Sequence, residues 1–188
     1  KERSAIAKFK VKGADEYFLA WTTTPWTLPS NVALCVNPRE TYVKVRMKEG
    51  GEVYYLAEAL ASTVLGDGAY DVLESFVGTD LEYDFVHPTE KCWYVTCDDY
   101  VTLTDGTGVV HIAPAFGEDD SKVGRKYNLP FVQLVDAKGE MTKETKWAGM
   151  FCKDADKEVL IDLDKRGLLF SAPVFEHSYP HCWRCDTP

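Results

Sequence analysis

The run Trp21-Thr22-Thr23-Thr24-Pro25-Trp26-Thr27-Leu28-Pro29-Ser30-Asn31 sets six hydroxyl or amide side chains among two tryptophans and two prolines. Each hydroxyl both donates and accepts, so such a run can hold a carbonyl and a water without supplying a nucleophile of its own. The apolar stretch Tyr17 to Ala20 reads as a short buried strand, and Pro25 forbids its continuation. In extended chain Thr22 and Thr24 face one side and Thr23 the other. A strand whose threonines only satisfy neighbouring backbone is the plainer reading. Eleven positions of this composition count against it.

The second run is Gly106-Thr107-Gly108-Val109-Val110-His111-Ile112-Ala113-Pro114-Ala115-Phe116-Gly117-Glu118-Asp119-Asp120. Its glycines allow a tight turn, residues 109–112 alternate as a buried strand, and Ala113-Pro114 stop it. The acidic triplet after Gly117 marks a helix with carboxylates in its first turn. Taken alone, His111 fits a hydrogen-bonded core histidine, and Asp119 and Asp120 fit helix capping. The order of strand, proline stop, glycine and acidic helix start also describes a loop that aims one histidine and one carboxylate into a shared cleft.

The elements that must position these groups are short. Residues 5–11, 17–22, 32–36, 42–47 and 53–57 read as strands, with a hairpin at Glu49-Gly50-Gly51-Glu52. A helix is predicted over 57–65, closed by Gly66, and further strands over 71–77, 92–97, 109–112 and 131–135. Asp136 to Gly139 form another turn. Residues 154–166 are the clearest helix, with Val159, Leu160 and Leu163 on one face and Gly167 as its stop. Residues 168–175 read as a last strand. Many short strands with a few helices predict an α+β domain of β-barrel type.

The 188 residues, 45% hydrophobic, suffice for one good core, and no apolar stretch reaches membrane length. Six scattered cysteines do not form a disulfide framework, which predicts a reducing, cytoplasmic setting. The net charge of −9 argues against the chain gripping a nucleic acid backbone on its own. Residue 1 is Lys rather than Met, the expectation for an excised fragment. The chain lacks a Gly-x-Ser-x-Gly elbow, His-Glu-x-x-His, a phosphate-binding glycine loop and the nucleotide-binding signatures needed to activate an amino acid.

The two runs resemble the paired signatures of the editing (CP1) domain inserted in isoleucyl-tRNA synthetase, a class I aminoacyl-tRNA synthetase. In the valyl and leucyl relatives the first run typically reads Thr-Thr-Arg-Pro, and Lys or Met commonly stands at the place of His111, so Thr24 and His111 favour the isoleucyl branch. The resemblance covers nearly the whole chain. It implies a distorted β-barrel with a few peripheral helices, with residues 1–176 as editing domain and 177–188 as a segment returning to the synthetase body.

The resemblance also implies an activity: proofreading by hydrolysis of the ester in Val-tRNA(Ile), the water positioned by the protein and helped by the free ribose hydroxyl of the terminal adenosine. Asp120 would pair with the substrate's α-ammonium. Thr22, Thr23 and Thr24 would line the side-chain pocket and place carbonyl and water. His111 would wall the pocket and exclude isoleucine by size. Trp21, Thr27, Asn31, Val109 and Ala113 complete the substrate-binding set, with Thr27 and Asn31 at a rim near the adenosine. Where many bacterial members carry a second histidine this chain has Phe116, which receives no role. The need is physical, because one missing methylene in a hydrophobic pocket gives only about 1–3 kcal/mol of discrimination, a limit for which isoleucyl-tRNA synthetase is itself the reference example.

Implied partners are the 3′ end of tRNA(Ile) carrying valine and the remainder of the synthetase, with the isolated domain a monomer and no membrane involved. Editing requires no cofactor. Cys182-x-x-Cys185 is half of a tetrahedral zinc site, which in the family joins a pair preceding the insertion; His177 and His181 are the alternative completing ligands, and a free dithiol is the other reading. Beside the deacylase stand two other readings, a noncatalytic module that recognises aminoacyl groups or partner proteins, and a structural insertion whose site has decayed. Thr23, Thr24, His111 and Asp120 standing together favour the first.

Overall fold

Val53-Tyr54-Tyr55-Leu56-Ala57 is buried at every position, the signature of a strand covered on both faces. It lies at the centre of the computed structural model, which describes residues 2–85, 91–175 and Arg184. Among these residues the strands are β1 (Glu2–Arg3), β2 (Ala5–Lys10), β3 (Glu16–Thr22), β4 (Ala33–Val36), β5 (Thr41–Met47), β6 (Val53–Ala57), β7 (Tyr70–Val77), β8 (Val95–Cys97), β9 (Val109–Ile112), β10 (Leu169–Ser171) and β11 (Val174–Phe175). The helices are α1 (Glu58–Leu65), α2 (Gly78–Phe85), α3 (Glu118–Lys126) and α4 (Cys152–Lys165), and Pro25–Ser30 forms a 3-10 helix.

Nine strands make one mixed sheet in the order β7-β5-β6-β3-β9-β4-β8, with β2 on the other edge of β3 and β10 beyond β2. The sheet curves as a half-barrel, in agreement with the expected α+β architecture of short strands and few helices. One edge of β3 changes partner along its length. Glu16 to Phe18 run parallel to β6, whereas Trp21 faces Val110 of β9. The sheet therefore divides at the C-terminal end of β3, where the threonine run begins. Phe18, Leu34, Tyr55 and Leu81 fill the core on one face, Leu19, Val43, Tyr54 and Leu56 that on the other.

Several expectations change. Residues 131–135 form no strand; only Val135 makes an isolated bridge, to Met141, and Phe131 is exposed. The alternation in Phe-Val-Gln-Leu-Val has no neighbouring strand to pair with. Residues 168–175 divide into β10 and β11 around Pro173, which cannot donate to a ladder. The strand predicted from Cys92 begins at Val95, because Trp93 adopts a left-handed conformation. Helix α2 and the 3-10 helix were not predicted. Cys35, Cys92, Cys97 and Cys152 are free thiols. Cys182 and Cys185, like His177 and His181, lie outside the described residues. No described helix is long and apolar enough to cross a membrane.

Candidate functional site

Pro25 ends β3 and opens the 3-10 helix, with Thr24 at its N-cap. The fixed ring angle of proline suits a first helical position, where its missing N–H is no loss. The Trp26 N–H donates to Asp156 Oδ1 at 2.7 Å and fastens this helix to α4. Because β9 lies parallel to β3 with Trp21 opposite Val110, the next residues, Thr22 and His111, emerge side by side. The first turn of α3 brings Asp120 to the same place. Gly124 lets α3 approach, since a Cβ there would sit 2.9 Å from Pro114. Gly106, at φ +74°, lies under the indole of Trp21, and a Cβ on it would stand 2.7 Å from that ring.

The result is a cavity of about 250 Å³ that unites Trp21, Thr22, Thr23, Thr24, Thr27, His111 and Asp120, residues singled out from the sequence. Tyr100, Val110, Phe116 and Gly117 complete the lining. Phe116 packs edge-on against Trp26, ring centroids 5.0 Å apart. Three of the predicted residues take other places. Asn31 donates its side-chain amide to the Ala33 carbonyl at 2.8 Å and lines a separate cleft. Val109 is fully buried in the core beneath an adjoining cavity. Ala113 contributes its backbone rather than its side chain.

The hydrogen bonds have a determinate direction. Thr27 Oγ1 donates its single proton to the Thr24 carbonyl at 2.8 Å, so its 2.9 Å contact with His111 Nε2 must be one in which the imidazole donates. His111 is thereby the Nε2–H tautomer, and among the described residues its buried Nδ1 has no partner. Burial pushes its pKa down to about 4, so the imidazole is an uncharged wall at neutral pH. Thr22 Oγ1 accepts the Thr24 N–H at 3.1 Å, and the Thr24 hydroxyl lies 3.4 Å from those of Thr22 and Thr27. Among the described residues no hydrogen bond engages the Thr23 hydroxyl.

Asp120 is held differently. One carboxylate oxygen accepts the Ala113 N–H at 3.0 Å and the other faces the Tyr100 hydroxyl at 3.5 Å. Desolvation raises its pKa above the usual carboxylate value, with the Ala113 N–H opposing the shift. A cation entering the cavity would relieve that desolvation. Tyr100 was missed: a lone tyrosine 20 positions before its partner belongs to no spacing pattern. Among the described residues no group of three or more His, Cys, Asp or Glu side chains could hold a metal.

No protein-family model matches the chain. It is 52% identical over 197 residues to the isoleucine-tRNA ligase of Clostridium novyi (strain NT), across all of this chain and 19% of that protein. The chain thus spans about a fifth of the length of the curated relatives it matches. Its fold is similar to that of GlLeuRS-CP1, with a TM-score of 0.69 at 16% identity over 95% of this chain and 100% of the other. It is also similar to the P. knowlesi cytosolic leucyl-tRNA synthetase editing domain, with a TM-score of 0.68 at 14% identity over 89% and 95%. By sequence the chain is a relative of the isoleucine-tRNA ligases, and by fold it is similar to the CP1 domains of leucyl-tRNA synthetases.

Proposed function

We propose that this domain hydrolyses the ester bond of Val-tRNA(Ile), with a positioned water as nucleophile, and spares Ile-tRNA(Ile) by size. The observation that carries this reading is the meeting of four threonines, one uncharged histidine and one desolvated carboxylate in a cavity of about 250 Å³. An aminoacyl ester is already activated, so orientation of water and stabilisation of the developing oxyanion are sufficient catalysis.

In this reading Asp120 receives the α-ammonium, which restores a charge partner to a buried carboxylate. The Thr23 hydroxyl, free of hydrogen-bond partners among the described residues, serves the carbonyl or the water, and Thr22 and Thr24 hold the rim around it. The Nε2–H tautomer of His111 keeps the wall neutral beside an incoming cation; a protonated imidazole there would repel the ammonium. The terminal adenosine's free hydroxyl assists the water. The reading calls for no cofactor. It takes residues 1–176 as the editing unit and 177–188 as the way back to the synthetase, and it has the domain act as a monomer in the cytoplasm on the 3′ end of tRNA held by the rest of the parent protein.

The test is single-turnover incubation with Val-tRNA(Ile) and Ile-tRNA(Ile) against a no-protein control. Release of valine with isoleucine retained is expected. If neither ester is cleaved faster than in the control, the hydrolytic reading is withdrawn.

A further inference from the structure

Trp93 combines two features that a folded chain normally avoids. Its φ is +61°, a region that disfavours a bulky side chain, and 62% of its surface remains exposed. The conformation is held by the Trp93 N–H donating to the Val32 carbonyl at 2.6 Å and by the indole N–H donating to the Asn31 carbonyl at 3.4 Å. One edge of the ring is thus tied while most of its surface faces solvent. Strained, exposed residues of this kind concentrate at binding sites.

The indole borders a cleft of about 330 Å³ whose apolar walls include Phe9, Val11 and Tyr94 and whose rim carries Lys10 and Lys12. Both lysines are exposed, as is Lys91, two positions before the tryptophan. Lys10 has Asp15 at 3.5 Å, an exposed pair that water screens. In a chain of net charge −9, cations gathered beside a flat aromatic surface make a local exception to the acidic surface.

We propose that this cleft is a second binding site, which takes an unpaired nucleotide of single-stranded RNA by stacking its base on Trp93 and holding its phosphate with Lys10 and Lys12. Stacking on an aromatic ring tolerates any base, and the ammonium groups supply the backbone contact. An apolar peptide would leave the lysines unused, and an acidic one the indole. The inference rests on the reading of the first cavity as the seat of an RNA 3′ end. The threonine run that lines that cavity ends at Asn31, whose carbonyl holds the indole. The intervening six-residue 3-10 helix spans about 12 Å, so a short piece of chain links the two sites.

The experiment follows the five indole N–H signals by nitrogen-15 NMR, with Trp93 assigned from Trp93→Phe, while an RNA hairpin with four unpaired 3′ nucleotides is titrated in. The Trp93 signal should move saturably. Trp93→Ala should raise Kd on the order of tenfold, and the Lys10→Gln/Lys12→Gln double variant should flatten its salt dependence. With Val-tRNA as substrate, Trp93→Ala should raise KM and leave kcat unchanged. An unmoved Trp93 signal at saturating RNA, an unchanged Kd in Trp93→Ala, or a response to an apolar peptide in place of RNA would overturn the proposal. Trp93→Gly, which removes the backbone strain, provides a folded variant if Trp93→Ala is unstable, and it should melt higher while binding RNA more weakly. RNA binding at Trp93 without valine release would refute the hydrolytic reading alone; valine release indifferent to Trp93 would refute this one alone.

Discussion

The two walls of the cavity use burial with opposite sign. On one side stands His111, tied to the threonine network of the 3-10 helix; on the other stands Asp120, at the start of α3. Burial disfavours the charged form of both groups, but that is the acid form of imidazole and the base form of carboxyl. His111 is accordingly pushed down to about 4 and Asp120 raised. The unfolded chain binds a proton at the imidazole below pH 6.5, which the folded chain refuses until about 4. Stability from His111 is therefore complete above pH 6.5 and lost as pH falls to about 4. At Asp120 the folded carboxyl keeps its proton to higher pH than the unfolded one, so its contribution is present at low pH and lost as pH rises through its raised value. A histidine wall is stabilised by staying neutral, whereas ionisation of the carboxylate costs stability, a cost that the proposed ammonium partner would offset.

Replacing Asp120 tests that contrast most severely. Asp120→Asn retains an acceptor for the Ala113 N–H and removes the charge. Hydrolysis of Val-tRNA should fall on the order of ten- to a hundredfold, the worth of a charge-assisted contact of about 1.5–3 kcal/mol. Its melting temperature at pH 7 should equal or exceed that of the wild type. A variant that cleaves Val-tRNA at the wild-type rate would reduce Asp120 to a helix cap.

His111→Ala breaks the other wall. Loss of the ring opens space for more than one methylene, so Ile-tRNA hydrolysis should rise on the order of tenfold while Val-tRNA hydrolysis persists. Thermal melts of this variant should also lose part of the wild type's decline between pH 6.5 and 4. Ile-tRNA left intact while Val-tRNA cleavage collapses would transfer His111 from size selection to packing or chemistry.

Within the hydroxyl wall smaller effects are expected. Thr22, Thr24 and Thr27 are one another's neighbours, so Thr24→Ala alone should change the single-turnover rate by less than about threefold, and Thr23→Ala plus Thr24→Ala together by about tenfold, with binding little altered. An unchanged rate in the double variant would remove both from the mechanism. The smallest change belongs to Tyr100→Phe. Its contact with Asp120 is long, so a loss of about 0.5–1 kcal/mol, a few-fold in rate, is expected. Since a donor favours the ionised carboxylate, the acidic limb of the pH–rate profile should move to higher pH. An unshifted limb would deny the phenol any hold on Asp120.

Much of this site was legible because its residues lie in two continuous runs. Pro25 and Pro114 each end a strand, and both runs therefore deliver their polar groups at a strand terminus. What escaped was what depends on packing. The 3-10 helix has two prolines and no 3.6-residue period, so its turn cannot be read from apolar spacing. Helix α2 opens with Gly78 and alternates Asp80, Glu82 and Asp84 with Leu81, Tyr83 and Phe85, a period of two that does not announce a helix. Asn31 belongs to the run by sequence, but the turn at the end of the 3-10 helix sends its side chain to the next strand. Tyr100 meets Asp120 only because the loop after β8 folds over α3, a tertiary event without local trace.

The bond from Trp26 to Asp156 joins residues 130 positions apart, and β2 at the N-terminal side pairs with β10 near the other end. Contacts of such sequence separation form late, after loop closure has been overcome. At synthesis rates of roughly 5–20 residues per second, the threonine run leaves the ribosome on the order of ten seconds before the helix that fastens it. The pocket is thus an outcome of completed folding rather than of its own segment, and a nascent or truncated chain would carry all the hydroxyls without the cavity they line.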